Sequence, residues 1–131
     1  MKSKLVTGAR VLLGLVFFVF GLNFFLHFIP QPPMPDPAAA FAHAMFATGY
    51  LFTLVKVVEV ASGALLLSGR FVPLALVLLA PIIVNIVLFH GFLAPAGLAV
   101  PVVVLALELF LAWSYRDAYR PMLQARVAPA S

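Results

Sequence analysis

Cysteine is absent from this chain, and charge is scarce: charged residues make up 9% of it, against roughly a quarter in a soluble domain. Without cysteine there are no disulfides, no thiolate metal sites and no thiol redox chemistry. The sequence also lacks a phosphate-cradling glycine loop, a nucleophile elbow and a helical zinc-protease motif. The net charge of +4 does not point to nucleic acid, because the basic residues are dispersed among helix ends and form no single patch. Hydrocarbon fills the space instead. Apolar residues make up 65% of the 131, and the mean hydropathy is +1.17. A single domain whose main solvent is lipid explains both the shortage and the excess.

Four apolar runs are long enough to span or nearly span a bilayer, which takes about 20 residues. They predict helices over about 5–29, 44–68, 71–90 and 98–116. A signal peptide is the rival reading of the first run, since Ala42-His-Ala44 resembles a small-residue cleavage site. The run is longer than the ~7–15 apolar residues of a signal sequence, so an uncleaved anchor is favoured. Residues 30–37 hold five prolines, which excludes helix or paired strand and predicts an extended loop. Residues 38–48 either extend the second helix outward or lie flat at the membrane interface as a separate helix. Gly69 is placed to cap the second helix, and Pro81 predicts a kink in the third.

All eight lysines and arginines except Lys56 fall on one side of the membrane if the chain crosses four times. The positive-inside rule then puts both termini in the cytoplasm. The expected architecture is an all-α, integral membrane four-helix bundle of the cytoplasmic (inner) membrane.

Charge inside such a bundle is costly, ~2.5–3.5 kcal/mol per group at a helix centre. The second run nevertheless carries Lys56 and Glu59 in its middle, and the fourth carries Glu108. Lys56 and Glu59 are three apart, share a helix face and can pair. With Gly49, Thr53 and Gly63 they form a small, polar stripe at helical spacing, expected to face protein or a water-filled pocket. The bland reading of the pair is a packing lock; the sharper one is proton handling. Glu108 must pair with Lys56 across the bundle or carry its own proton, because two acids and one base leave one acid unmatched. At ~1.5 Å per residue, Glu108, Glu59, Asn23, Asn85, His27 and His90 all fall between mid-membrane and the outer surface. These residues are the expected lining of a polar, outward-opening pocket, with Lys56 and Glu59 as its working pair. Gly14 and Gly21 lie on the opposite face of the first helix, where they permit close helix approach. His27, His43 and His90 lie on different segments without the spacing of a helical metal motif, so separate interfacial roles are favoured over a metal site.

Arg10-Val-Leu-Leu-Gly14-Leu-Val-Phe-Phe-Val-Phe-Gly21-Leu-Asn23 resembles the first helix of DoxX-type membrane proteins. Val57-Val-Glu59-Val-Ala-Ser-Gly63-Ala-Leu-Leu-Leu-Ser-Gly69-Arg70 resembles the second, and Asn85-Ile-Val-Leu-Phe-His90 the outer end of the third. The resemblance covers residues 10–90, with Glu59 at the position of the family's glutamate. It implies a small four-helix inner-membrane protein, with relatives that serve as membrane subunits of quinone-linked oxidoreductases. Most of the family has no assigned reaction. The expected role is an accessory subunit of a quinone-linked redox system, with quinone as ligand, membrane lipids around it and a redox protein as partner. Alternatives are a small, homo-oligomeric transporter built on the same polar stripe and a non-catalytic assembly partner.

Overall fold

The computed structural model describes residues 2–130, and among these all regular structure is helical. The helices are α1 (Lys2–Leu26), α2 (Asp36–Ala47), α3 (Leu51–Ser68), α4 (Val72–Leu93), α5 (Ala99–Ser114) and the single turn α6 (Arg116–Tyr119). Short 3-10 turns occupy Pro95–Gly97 and Pro121–Leu123. Three helices are long and apolar enough to cross a membrane: Ser3–Leu26 within α1, α3 and α4. α5 is apolar but shorter, at 16 residues.

α1 packs on α3, α3 on α4, α4 on α5, and α5 back on α1. The tightest of these seams joins α1 to α3, and glycine makes it so. A Cβ built on Gly63 would stand 2.6 Å from the Phe18 amide nitrogen and 2.9 Å from the Gly14 carbonyl oxygen. One on Gly21 would stand 2.7 Å from Val60 Cγ2. Three missing side chains thus let two backbones touch. Gly63 therefore belongs to this seam as well as to the stripe around Glu59.

The apolar core gathers at one end of the molecule. It joins Leu13 and Phe17 of α1, Leu66 of α3, Ala75, Leu76, Leu79 and Ile83 of α4, and Val104 and Leu111 of α5. Basic side chains finish that end. The Arg10 guanidinium donates to the carbonyls of Leu66 and, at 3.3 Å, Leu67. It thereby satisfies acceptors that the last turn of α3 leaves open and opposes the negative end of that helix. Gly69 closes α3 in the left-handed region (φ +74°), with its N–H returning to Leu65 and Leu66. α4 begins directly after and runs on through Pro81 without a break.

Several helix boundaries differ from those the sequence predicts: α4 runs on to Leu93, and α2 begins at Asp36, inside the stretch expected to be all loop, because Pro37 is tolerated in a first helical turn. α1 ends at Leu26 and not near residue 29, because Asn23 takes over the backbone beyond it. Its Nδ2 donates to Ile29 O at 3.0 Å, and its Oδ1 accepts from Ile29 N–H at 2.7 Å. His27 takes the left-handed conformation (φ +53°) that this reversal needs. The expected helix 44–68 is also divided. α2 is a separate helix, and the chain turns at Gly49 (φ +84°), a conformation glycine adopts without steric cost. Thr48 Oγ1 then accepts the Leu51 N–H at 2.9 Å, one of the donors the first turn of α3 leaves free. α2 packs against α3 and α4 at the end of the molecule away from Arg10. There Phe46 meets Phe24, and Phe41 meets Phe89.

Candidate functional site

On α3 the polar groups that are buried or half-buried fall at positions 56, 59 and 62, about one turn apart. Lys56 Nζ lies 3.3 Å from Glu59 Oε1, a part-buried ion pair. Glu59 is 4% exposed, and its Cβ approaches the bare face of Gly21 on α1. Ser62, one turn further in, is fully buried, and its hydroxyl has no partner among the described residues. Above the pair, Lys56 Nζ stands 5.5 Å from the centre of the Phe52 ring, within the range at which a ring face attracts a cation. Phe52 in turn stacks on Phe24 of α1, with centroids 5.1 Å apart and planes 11° apart. The pair therefore sits beneath an aromatic roof built from α1 and α3. This arrangement can hold a proton at Glu59 Oε1 and present an ammonium group to a polar atom that enters below the rings.

Glu108 lies elsewhere. It is 6% exposed, on the α5 face that meets α4, and its Oε1 has no partner among the described residues. It lines a hollow of about 280 Å³ between α4, α5 and the C-terminal turns, together with Leu76, Val77, Ala80, Ala112, Tyr119, Met122 and Leu123. The Tyr119 hydroxyl does not serve it: that group donates to Pro73 O at 2.9 Å. Burial, and then the nearby Glu108 carboxylate, push the Tyr119 phenol up to about 12. A second hollow of about 220 Å³, between α1 and α5, is wholly apolar in its lining.

The two carboxyls expected to share one pocket are thus divided between the α1–α3 seam and the α4–α5 groove. The ion pair across the bundle is not formed, because Lys56 is bonded to Glu59 on its own helix. Neither hollow is lined by Lys56, Glu59, Asn23, His27, Asn85 or His90. Asn23 is buried, but both ends of its amide hold the backbone at Ile29. Asn85 and His27 are exposed, as is His43 on α2. His90 is half-buried, and its Nδ1 lies 2.9 Å from Ile86 O on its own helix. The polar stripe is also shorter than its spacing suggests, since Thr53 is exposed and Gly49 lies in the link before α3.

Sequence reasoning passes over Ser62, Phe24, Phe52 and Tyr119. A signal for Ser62 exists in its step of three from Glu59. The two phenylalanines are lost among the 13 in the chain, because only the tertiary fold selects which of them meet.

No curated protein and no solved structure matches the chain. Residues 5–92 match the family model described as DoxX, a span that takes in α1 to α4, the link at Gly49 and the Lys56–Glu59 pair. The chain is a multi-pass membrane protein and belongs to the DoxX family.

Proposed function

We propose that this DoxX-family protein is a membrane subunit of a quinone-linked redox system in the cytoplasmic (inner) membrane, with the Lys56–Glu59 pair as its proton-handling site. The observation that carries the reading is the pair itself. A lysine and a glutamate are held together on a membrane helix, next to a buried serine hydroxyl with no partner among the described residues, and roofed by stacked rings. Intramembrane ionisable groups are expensive and mark sites of proton or ligand traffic. Reducing a quinone to a quinol takes up two electrons and two protons. Side chains of this chain offer the proton part, through Lys56 Nζ and Glu59 Oε1; with no cysteine for thiol redox chemistry, the electrons call for a cofactor or a redox partner protein from outside the chain.

Four crossings with both termini in the cytoplasm complete the reading. Arg10 reaches the end of α3, and Tyr119, after α5, reaches the start of α4. The basic ends of these helices therefore meet at one surface, in keeping with the positive-inside rule. α5 spans ~24 Å against a hydrocarbon core of ~30 Å. Just beyond its end, Arg116 of α6 stacks 4.3 Å over Trp113, an aromatic and basic anchor suited to a locally thinned bilayer.

The test is quinone-dependent spectroscopy on the purified protein in nanodiscs. Addition of a ubiquinone or menaquinone analogue is expected to perturb carboxyl and amide infrared bands in the wild type and not in Glu59→Gln. No quinone response, together with solute flux across liposomes that Lys56→Met abolishes, would replace this reading with the transporter.

A further inference from the structure

The segment after α5 lies outside the residues that match the family and outside the proposed redox site. It is nevertheless held against the side of the bundle. The Tyr119 hydroxyl donates to Pro73 O at 2.9 Å, which ties α6 to the first turn of α4. Met122 and Leu123 follow, and they line one hollow with Leu76, Val77 and Ala80 of α4. α4 has 22 residues, a length of ~33 Å, close to the ~30 Å of a hydrocarbon core. Its first residues therefore lie at one membrane boundary, and Leu76 to Ala80 lie ~6–12 Å inside it. Met122 and Leu123 stand beside them at that depth. They are 63% and 77% exposed, so most of their apolar surface is turned away from the bundle, towards acyl chains.

Cations surround these two side chains. Arg116, Arg120 and Arg126 flank them along the segment, and all three are exposed. The Tyr119–Pro73 bond brings in Arg70, also exposed, from three residues before Pro73. The one acid of the segment is Asp117, an exposed group 3.0 Å from Arg120. We infer that residues 116–127 are an anchor that recognises anionic phospholipid, with Met122 and Leu123 in the acyl layer and the four arginines at the phosphates above them. Arginine stems are long enough to lie along the apolar boundary while the guanidinium reaches the head groups. A neutral lipid would satisfy the apolar part alone. The excess of cations selects an anionic head group, because a zwitterionic one carries its own ammonium.

Trp113 is the one tryptophan of the chain, and Arg116 stacks on it, so its fluorescence reports lipid at this anchor. The test places the full-length protein in phosphatidylcholine vesicles that hold increasing amounts of brominated phosphatidylglycerol or brominated phosphatidylcholine, which quench indole on contact. Brominated phosphatidylglycerol should reach half-quenching at about a fivefold lower mole fraction, the worth of one juxtamembrane arginine. Arg120→Gln with Arg126→Gln should bring the two lipids together. Asp117→Asn, which frees Arg120, should widen the gap, and Glu59→Gln should leave it unchanged, which separates this anchor from the proposed redox site. Because the chain has no cysteine, Leu123→Cys carries a nitroxide at one place only; it should be open to dissolved oxygen and shielded from a water-soluble nickel complex. Equal half-quenching by the two lipids in the wild type would leave the arginines to a soluble acidic partner and overturn the inference. A gap that survives the double substitution, or a nitroxide at position 123 fully open to the nickel complex, would overturn it as well.

Discussion

The α1–α3 seam and the α4–α5 groove each bury one glutamate, and they treat it in opposite ways. In the seam, glycines bring two backbones together, Glu59 is paired with Lys56, and rings close the space above. In the groove, side chains leave a hollow beside Glu108, whose Oε1 has no partner among the described residues. Exposure does not separate the two, at 4% and 6%. The difference is one of neighbours. A lysine one turn away on the same helix travels with its acid whatever the fold does, whereas a lone acid depends on what the tertiary structure or a ligand brings to it.

The sharpest way to break this contrast is to remove the cation. Lys56→Met leaves Glu59 buried without its partner and should destabilise the protein by about 3–5 kcal/mol, read as the loss of folded fraction in a denaturant titration in mild detergent. Glu108→Gln should cost less than ~1 kcal/mol in the same assay, since no ion pair is lost. A large loss in Glu108→Gln would mean that Glu108 has a partner after all. The seam itself is probed next. Gly63→Ala puts a methyl group against the Phe18 backbone and should cost about 1–3 kcal/mol through overpacking. Gly91→Ala, where a Cβ meets nothing within 4 Å, should be neutral or mildly stabilising.

At the basic end, Arg10→Ala removes the charged donor from the last carbonyls of α3. It should cost about 1–2 kcal/mol, with hydrogen exchange rising at the end of α3 before it rises elsewhere. The effect at Tyr119 is confined to alkaline pH. Its folded phenol is pushed up to about 12 from an ordinary 10.0. Above pH 10 the unfolded chain therefore releases this proton while the folded chain keeps it. Stability should fall as pH rises from 10 towards 12, and this component of the fall should vanish in Tyr119→Phe. Identical alkaline profiles for the two proteins would show that the phenol is not held at the groove.

The groups that act within one helix are the ones legible in the sequence. The step of three from Lys56 to Glu59, the seven from Gly14 to Gly21, and Gly69 at the end of a leucine run are all properties of α-helical geometry. Each can be read without knowing what packs where. The common pocket is a different kind of inference. Depth along a helix places Glu59 and Glu108 at comparable levels, but depth carries no information on which helices are neighbours. α3 and α5 are not among the adjacent pairs of the ring. The fate of Asn23 is hidden for a related reason: its amide is consumed by Ile29 only because α1 stops at Leu26. The division of α2 from α3 depends on the positive φ of Gly49, and a glycine among alanines and phenylalanines does not announce it. The family resemblance reads the same apolar runs and the same glutamate, so it recovers membership without arranging the site.

A double-mutant cycle on the two acids tests the central division most directly. Stabilities of Lys56→Met, Glu59→Gln and the double variant should show a coupling above about 1 kcal/mol, as expected for residues in contact. The same cycle with Glu108→Gln in place of Glu59→Gln should be additive to within about 0.5 kcal/mol. Coupling between Lys56 and Glu108 as large as that between Lys56 and Glu59 would put both acids around one cation and contradict the account.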